Sequence, residues 1–114
     1  MDLNKIQKRL RKFASDRDWE QFHDPKNLTM ALSVEVSELL EIFQWSKDGG
    51  IDEIKDEKIK KEIEREIADV FNYIIRLSDI LNIDIEKAAH IKIDENEIKY
   101  PVEKFKGSSR KYNK

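Results

Sequence analysis

The sequence predicts an all-α protein, a four-to-five-helix bundle completed by oligomerisation. Three observations predict it. The 114 residues include only 3 Gly and 2 Pro, too few for a turn-rich β architecture. Apolar residues recur at steps of three and four, the spacing of one helix face. The apolar share is 39%, modest for so short a chain, and a small domain buries little of its surface, so a second copy is expected to complete the core. This length fits a single domain, residues 1–114, with about 102–114 as a basic C-terminal tail.

Residues 2–16 read as the first helix. Leu3, Ile6, Leu10 and Phe13 share a face, and Lys5, Lys8, Arg9, Arg11 and Lys12 lie largely off it. Residues 16–26 are a polar connector that carries Trp19, Phe22 and His23, aromatic groups that either pin it to the core or line a pocket. Glu20 and His23 match half of a di-iron signature, which needs two such motifs on helices, so the match is set aside. The second helix spans residues 27–45, with Asn27 as its expected cap and Leu28, Leu32, Leu39 and Ile42 on one face. Gly49 and Gly50 break the chain, and are too isolated for a phosphate loop.

Residues 51–57 form a short link. The third helix spans 57–81, with Ile63, Ile67, Val70, Ile74, Leu77 and Leu81 as its stripe. Asn82 stops it and Asp84 caps a fourth helix over 84–98, which the Tyr100–Pro101 step ends. Lys92, Asn96 and Tyr100 repeat at i+4 and share a face of that helix.

Two of these stripes contain acids where apolar residues belong. Glu35 falls between Leu32 and Leu39, with Glu38 one turn on. Glu66 falls between Ile63 and Val70, with Asp69 one turn on. Such pairs are common solvated faces in a chain that is 40% charged. Two of them in apolar stripes are another matter, because burying an unpaired carboxylate costs several kcal/mol. If the two helices pack together, four carboxylates converge, and they must be protonated or offset by a cation. Hard oxygen ligands of this kind suit Mg²⁺ or Mn²⁺.

Composition narrows the rest. A net charge of −2 predicts no nucleic-acid polymer and no membrane partner. The absence of cysteine excludes disulfides, zinc–thiolate sites and a thiol nucleophile. No apolar run approaches the roughly 20 residues that span a membrane, and the Met-Asp-Leu-Asn-Lys start has no hydrophobic signal segment, so a cytoplasmic location is expected.

The chain resembles the all-α MazG-like nucleotide pyrophosphohydrolases, and most closely their dCTP-pyrophosphatase branch. The resemblance rests on RDWEQFHDPKNL at 17–28, EVSELLEIFQW at 35–45, EIADV at 66–70, and the ending Lys92, Asn96, Tyr100, Pro101 and SSRKY at 108–112. It implies that Glu35, Glu38, Glu66 and Asp69 are catalytic metal ligands. Trp19, His23 and Trp45 would line a base pocket, Tyr73 would sit beside the metal site, and Lys92 and Asn96 would face the triphosphate. It further implies a homodimer or homotetramer. The chemistry would be Mg²⁺-dependent hydrolysis of a (d)NTP to (d)NMP and pyrophosphate in a house-cleaning role, with dCTP or related nucleotides preferred. In this chain Val34 stands where the broader family carries a further Glu, which the close branch also lacks. Leu10 stands where vertebrate members carry a pocket histidine. The rival expectation is a non-catalytic helical oligomerisation or regulatory module, which has no reason to keep the complete acidic quartet.

Overall fold

The computed structural model describes residues 1–108. They form five helices and no strand: α1 (Leu3–Asp16), α2 (Pro25–Phe43), α3 (Glu57–Ile80), α4 (Ile85–Lys99) and the short α5 (Val102–Phe105). Single 3₁₀ turns occupy Glu20–Phe22 in the connector and Glu53–Lys55 ahead of α3. The all-α expectation therefore holds, and the helix bounds differ from the predicted ones by a residue or two at most ends. The expected basic tail is described only as far as Ser108, and residues 109–114 lie outside the described part.

The four long helices begin in the same way. Asp2, Asp24, Asp56 and Asp84 are their N-caps, each carboxylate accepting a backbone N–H from the first turn. The cap of α2 corrects the sequence reading, which gave that role to Asn27. Asp24 accepts from the Asn27 amide at 2.7 Å, and Pro25 occupies the first helical position, where a missing N–H costs nothing. Asn27 instead donates its side-chain amide to the Phe22 carbonyl at 3.1 Å and ties the connector to the helix start. Beyond the end of α3, Asn82 adopts the left-handed conformation that ends a helix, at φ 55°.

The chain forms two compact units, Met1–Asn82 and a second beginning at Ile83. In the first, α3 is the central element: α2 packs along it most extensively, and α1 and the Glu53–Lys55 turn also pack on it. Ala14, Leu28, Ile63 and Ile75 form its buried apolar core. Many large apolar side chains stay exposed, among them Val36, Leu40 and Ile67. In the second unit no side chain of α4 is buried. No helix among the described residues is long and apolar enough to cross a membrane.

The turn after α2 shows what the two glycines do. Asp48 accepts from the Gly50 and Asp52 amides, closing the turn. Both glycines have positive φ, 78° at Gly49 and 99° at Gly50. A Cβ at Gly50 would lie 2.7 Å from a Phe43 ring carbon, whereas one at Gly49 would meet nothing. A non-glycine residue in this conformation costs about 1–2 kcal/mol. Gly49→Ala should therefore lower unfolding free energy by about 1 kcal/mol, and Gly50→Ala by about 2 kcal/mol or more, compared by urea midpoints at equal m.

Candidate functional site

The packing of α2 on α3 brings three of the four predicted acids together. One carboxylate oxygen from each of Glu35, Glu38 and Glu66 lies within 4.8 Å of the others. Glu38 is exposed, while Glu35 and Glu66 are half-buried. Glu35 Oε2 and Glu66 Oε2 are fully buried and have no hydrogen-bond partner. Carboxylate oxygens only accept, so these groups can meet only through a shared proton or a cation. Burial first, then contact with the Glu66 and Glu38 carboxyls and the nearby charges of Glu38 and Asp69, pushes the Glu35 carboxyl up to about 7.

Asp69 is exposed and falls outside this 4.8 Å cluster, although its charge acts on Glu35. Its side chain lines a neighbouring cleft of about 560 Å³. Leu10 and Phe13 of α1 form one wall. Trp19 and His23 of the connector form another, and Asn72, Tyr73 and Arg76 of α3 join Asp69 in lining the cleft. The Trp19 ring meets Phe13 edge-on at 5.7 Å between centroids. Trp19, His23, Tyr73 and Asp69 thus line one cavity.

Other predicted residues lie elsewhere. Trp45 follows the end of α2, is 86% exposed and does not line the cleft. Lys92 and Asn96 belong to the second unit, where both are exposed. Lys92 pairs with Glu95 at 3.6 Å, and the Asn96 carbonyl accepts from the Tyr100 amide at 2.8 Å.

A polar network behind the cleft was not foreseen. Arg76 is buried in α3 and donates from Nε to His23 Nδ1 at 3.1 Å. Asp79, one turn on, lies 3.5 Å from Arg76 and also accepts from Arg11 at 2.6 Å and from Gln7 at 2.8 Å. The bonds from Arg11 hold the Asp79 carboxyl below its ordinary range despite its burial. Burial, then the Arg76 charge, lowers His23, with Glu20 opposing. A second cleft shares Arg76 and is lined also by Arg11, Lys12 and Asp79. Its cations are already engaged, Lys12 with Asp16 at 2.7 Å and both arginines with Asp79. A sequence signal for the network existed. Arg76 interrupts the apolar run Tyr73-Ile74-Ile75-Arg76-Leu77 as Glu35 and Glu66 interrupt theirs.

The chain is similar in sequence and fold to known proteins. The model of the MazG-like family matches residues 30–114. The dCTP pyrophosphatase 1 of Rattus norvegicus is 39% identical over 111 residues, which cover 96% of this chain and 65% of that protein. The Homo sapiens protein of the same name gives the same figures. A pyrophosphatase of known crystal structure from Archaeoglobus fulgidus is 42% identical, with a TM-score of 0.80 over 86% of this chain and 91% of that one. The helical fold is shared with that solved pyrophosphatase, and the chain belongs to the MazG-like family. It spans 65% of the length of the rat and human relatives.

The raised Glu35 value sets a pH dependence for the metal-free protein. The folded-state carboxyl keeps its proton up to about 7, while in the unfolded chain it ionises near 4.5. Between those values the folded state holds the extra proton, so this group's stabilisation is complete below 4.5 and is lost as pH rises through 7. In EDTA the melting temperature should therefore fall from pH 5 to pH 8, and Glu35→Gln should flatten that fall. Thermal scans at a series of pH values check this.

Proposed function

We propose that this protein is a Mg²⁺-dependent nucleoside triphosphate pyrophosphohydrolase that converts a (d)NTP and water to a (d)NMP and pyrophosphate, with dCTP or related nucleotides preferred. The observation that carries this is the meeting of Glu35, Glu38 and Glu66, with two buried carboxylate oxygens lacking any donor, beside an aromatic cleft that Asp69 also lines. Hard, clustered oxygen donors with unmet acceptor capacity fit a divalent cation. Glu35, Glu38, Glu66 and Asp69 would hold Mg²⁺, or Mn²⁺, and the bound ion would supply charge neutralisation and Lewis acidity for the triphosphate.

The chain's own groups do the rest. Glu38, the exposed member of the cluster, accepts a hydrogen bond from the attacking water and orients it towards the α-phosphorus. The water oxygen bonds to that phosphorus and gives up a proton to the Glu38 carboxylate, the bond from phosphorus to the bridging oxygen breaks, and pyrophosphate leaves. Trp19 offers a face on which the base stacks, and Tyr73 lies beside the acids near the sugar. Stacking favours any base, so selectivity falls to hydrogen-bonding groups such as His23.

The proposal includes a single functional domain, a cytoplasmic location and a homodimer or homotetramer. Exposed Val36, Leu40 and Ile67 on α2 and α3 support association, as does α4 with no buried side chain. In such an assembly Trp45, Lys92 and Asn96 would reach a bound nucleotide.

Release of pyrophosphate from a panel of nucleotides, with Mg²⁺ and with EDTA, tests the reading, and no metal-dependent turnover of any nucleotide would sink it. Glu35→Gln and Asp69→Asn should each cut turnover by at least about 100-fold, while circular dichroism and sedimentation remain those of wild type. Trp45→Ala should raise KM for all four dNTPs alike, by about tenfold. An unchanged KM would place Trp45 outside the nucleotide site.

A further inference from the structure

The contact between Arg76 and His23 determines more than where the imidazole sits. A guanidinium has five N–H donors, no acceptor and no accessible neutral form. The ring nitrogen facing it must therefore present a lone pair. Arg76 Nε lies 3.1 Å from His23 Nδ1, so Nδ1 is the acceptor. In a neutral imidazole the proton then belongs to Nε2, and Nε2 makes no hydrogen bond among the described residues. His23 is a wall of the cleft that also holds Trp19, Tyr73 and Asp69.

We propose that Arg76 is a positioning residue that commits His23 to the Nε2–H tautomer, so that His23 meets a nucleobase as a donor and reads an acceptor on the base edge, not an amino group.

The surroundings fix Arg76 in this role. Its side chain is 8% exposed, and Asp79 lies 3.5 Å from it. Asp79 is itself held by Arg11 and Gln7 of α1, so the guanidinium is anchored through Nη1 while its Nε–H meets His23. The charged groups around the imidazole are Arg76 and Glu20, with Arg9 and Asp69 elsewhere in the cleft lining. Burial and the Arg76 charge outweigh Glu20 and favour the neutral ring that the tautomer requires. On cytosine the acceptors within reach of a single donor are the 2-carbonyl and the ring N3, while the exocyclic amine is a donor that an Nε2–H cannot bind.

The ligand in this proposal rests on the nucleotide pyrophosphohydrolase reading, whereas the tautomer does not. The chain has two histidines, so ¹⁵N spectra of the imidazoles report on His23 directly once His90→Gln assigns the other. At neutral pH wild-type His23 should show Nε2–H alone. Arg76→Met, of similar length but without donors, should give averaged shifts containing Nδ1–H, together with a higher His23 pKa. An Nδ1–H tautomer in the wild type, or ¹⁵N shifts that Arg76→Met leaves unchanged, overturns the proposal. Kinetics give a second reading that needs no Arg76 variant. His23→Ala should lower kcat/KM by the same factor, about tenfold, for dCTP and for its pyrimidin-2-one analogue, which lacks the amine but keeps both acceptors. A loss seen with dCTP that vanishes with the analogue means that His23 accepts from the amine, and overturns the proposal. If no nucleotide is hydrolysed, the pyrophosphohydrolase reading fails, and the spectra alone still decide the tautomer.

Discussion

Two helices that meet through carboxylates impose the constraint on which the rest of this structure depends. α2 and α3 make the most extensive interface of the first unit, yet their seam contains Glu35 and Glu66, each with an oxygen buried and without a donor. Apolar packing from Leu28 and Ile63 brings the helices together, while the acids resist it. Without a cation the resistance is relieved only by a proton, and burial first, then the neighbouring carboxyls, moves the Glu35 carboxyl far from its ordinary value. A purely structural bundle would gain from replacing these acids with apolar residues of similar size, since a buried charge cluster is weak as a source of stability. Their presence at the seam is thus poorly explained by stability, whereas their clustered oxygens could hold a cation.

The network that joins α3 to α1 is built on the opposite principle. Asp79 is a single acceptor serving Arg11, Gln7 and Arg76, so its charge is met from both its own helix and α1. This ties α1 to α3 by directional bonds where the apolar contact is small, with Ala14 the only buried residue of α1. The same carboxylate orders Arg76, and Arg76 orders His23 on the connector. The cleft between α1, the connector and α3 is consequently shaped by a chain of hydrogen bonds as well as by the Phe13–Trp19 contact. One helix thereby presents an unsatisfied acidic seam to α2 and a satisfied polar network to α1, with the cleft lined by residues from α1, the connector and α3.

Most of the helices were legible in the sequence because stripe spacing and breaks coincide: Leu3 to Phe13, Ile63 to Leu77, and the stops at Asn82 and Pro101 were all read from periodicity and turn residues. The α2 cap was misplaced because Asn27 and Asp24 are both capping residues, and Pro25 between them decides for Asp24 by its fixed φ and missing N–H. Glu35, Glu38 and Glu66 were found because a charge in an apolar stripe is a local anomaly. Their exact neighbours were not, since Asp69 stands one turn from Glu66 yet falls outside the tight cluster, and that depends on the rotation of α3 against α2. Arg76 was overlooked although it interrupts an apolar run in the same manner. Its partners Asp79 and His23 are 3 and 53 residues away, and only the second separation is invisible to a helical spacing rule.

The remaining residues divide by what one chain can bury. α4 has 15 residues, close to the roughly 12–15 below which a helix in water is marginal without packing, and none of its side chains is buried. Its Asp84 cap contributes only about 1 kcal/mol. Ile91, Ile93 and Ile98 lie exposed along it, as Val36, Leu40 and Trp45 do on and after α2. Such surfaces are more apolar than a helix of this kind needs for solubility, and burial at about 25 cal/mol per Å² would stabilise any partner face that covered them. Trp45 in the first unit and Lys92 and Asn96 in the second are each exposed. The acids and the aromatic cleft are assembled within the first unit, where α3 carries Glu66, Asp69, Tyr73 and Arg76 while α1, the connector and α2 supply the remaining groups.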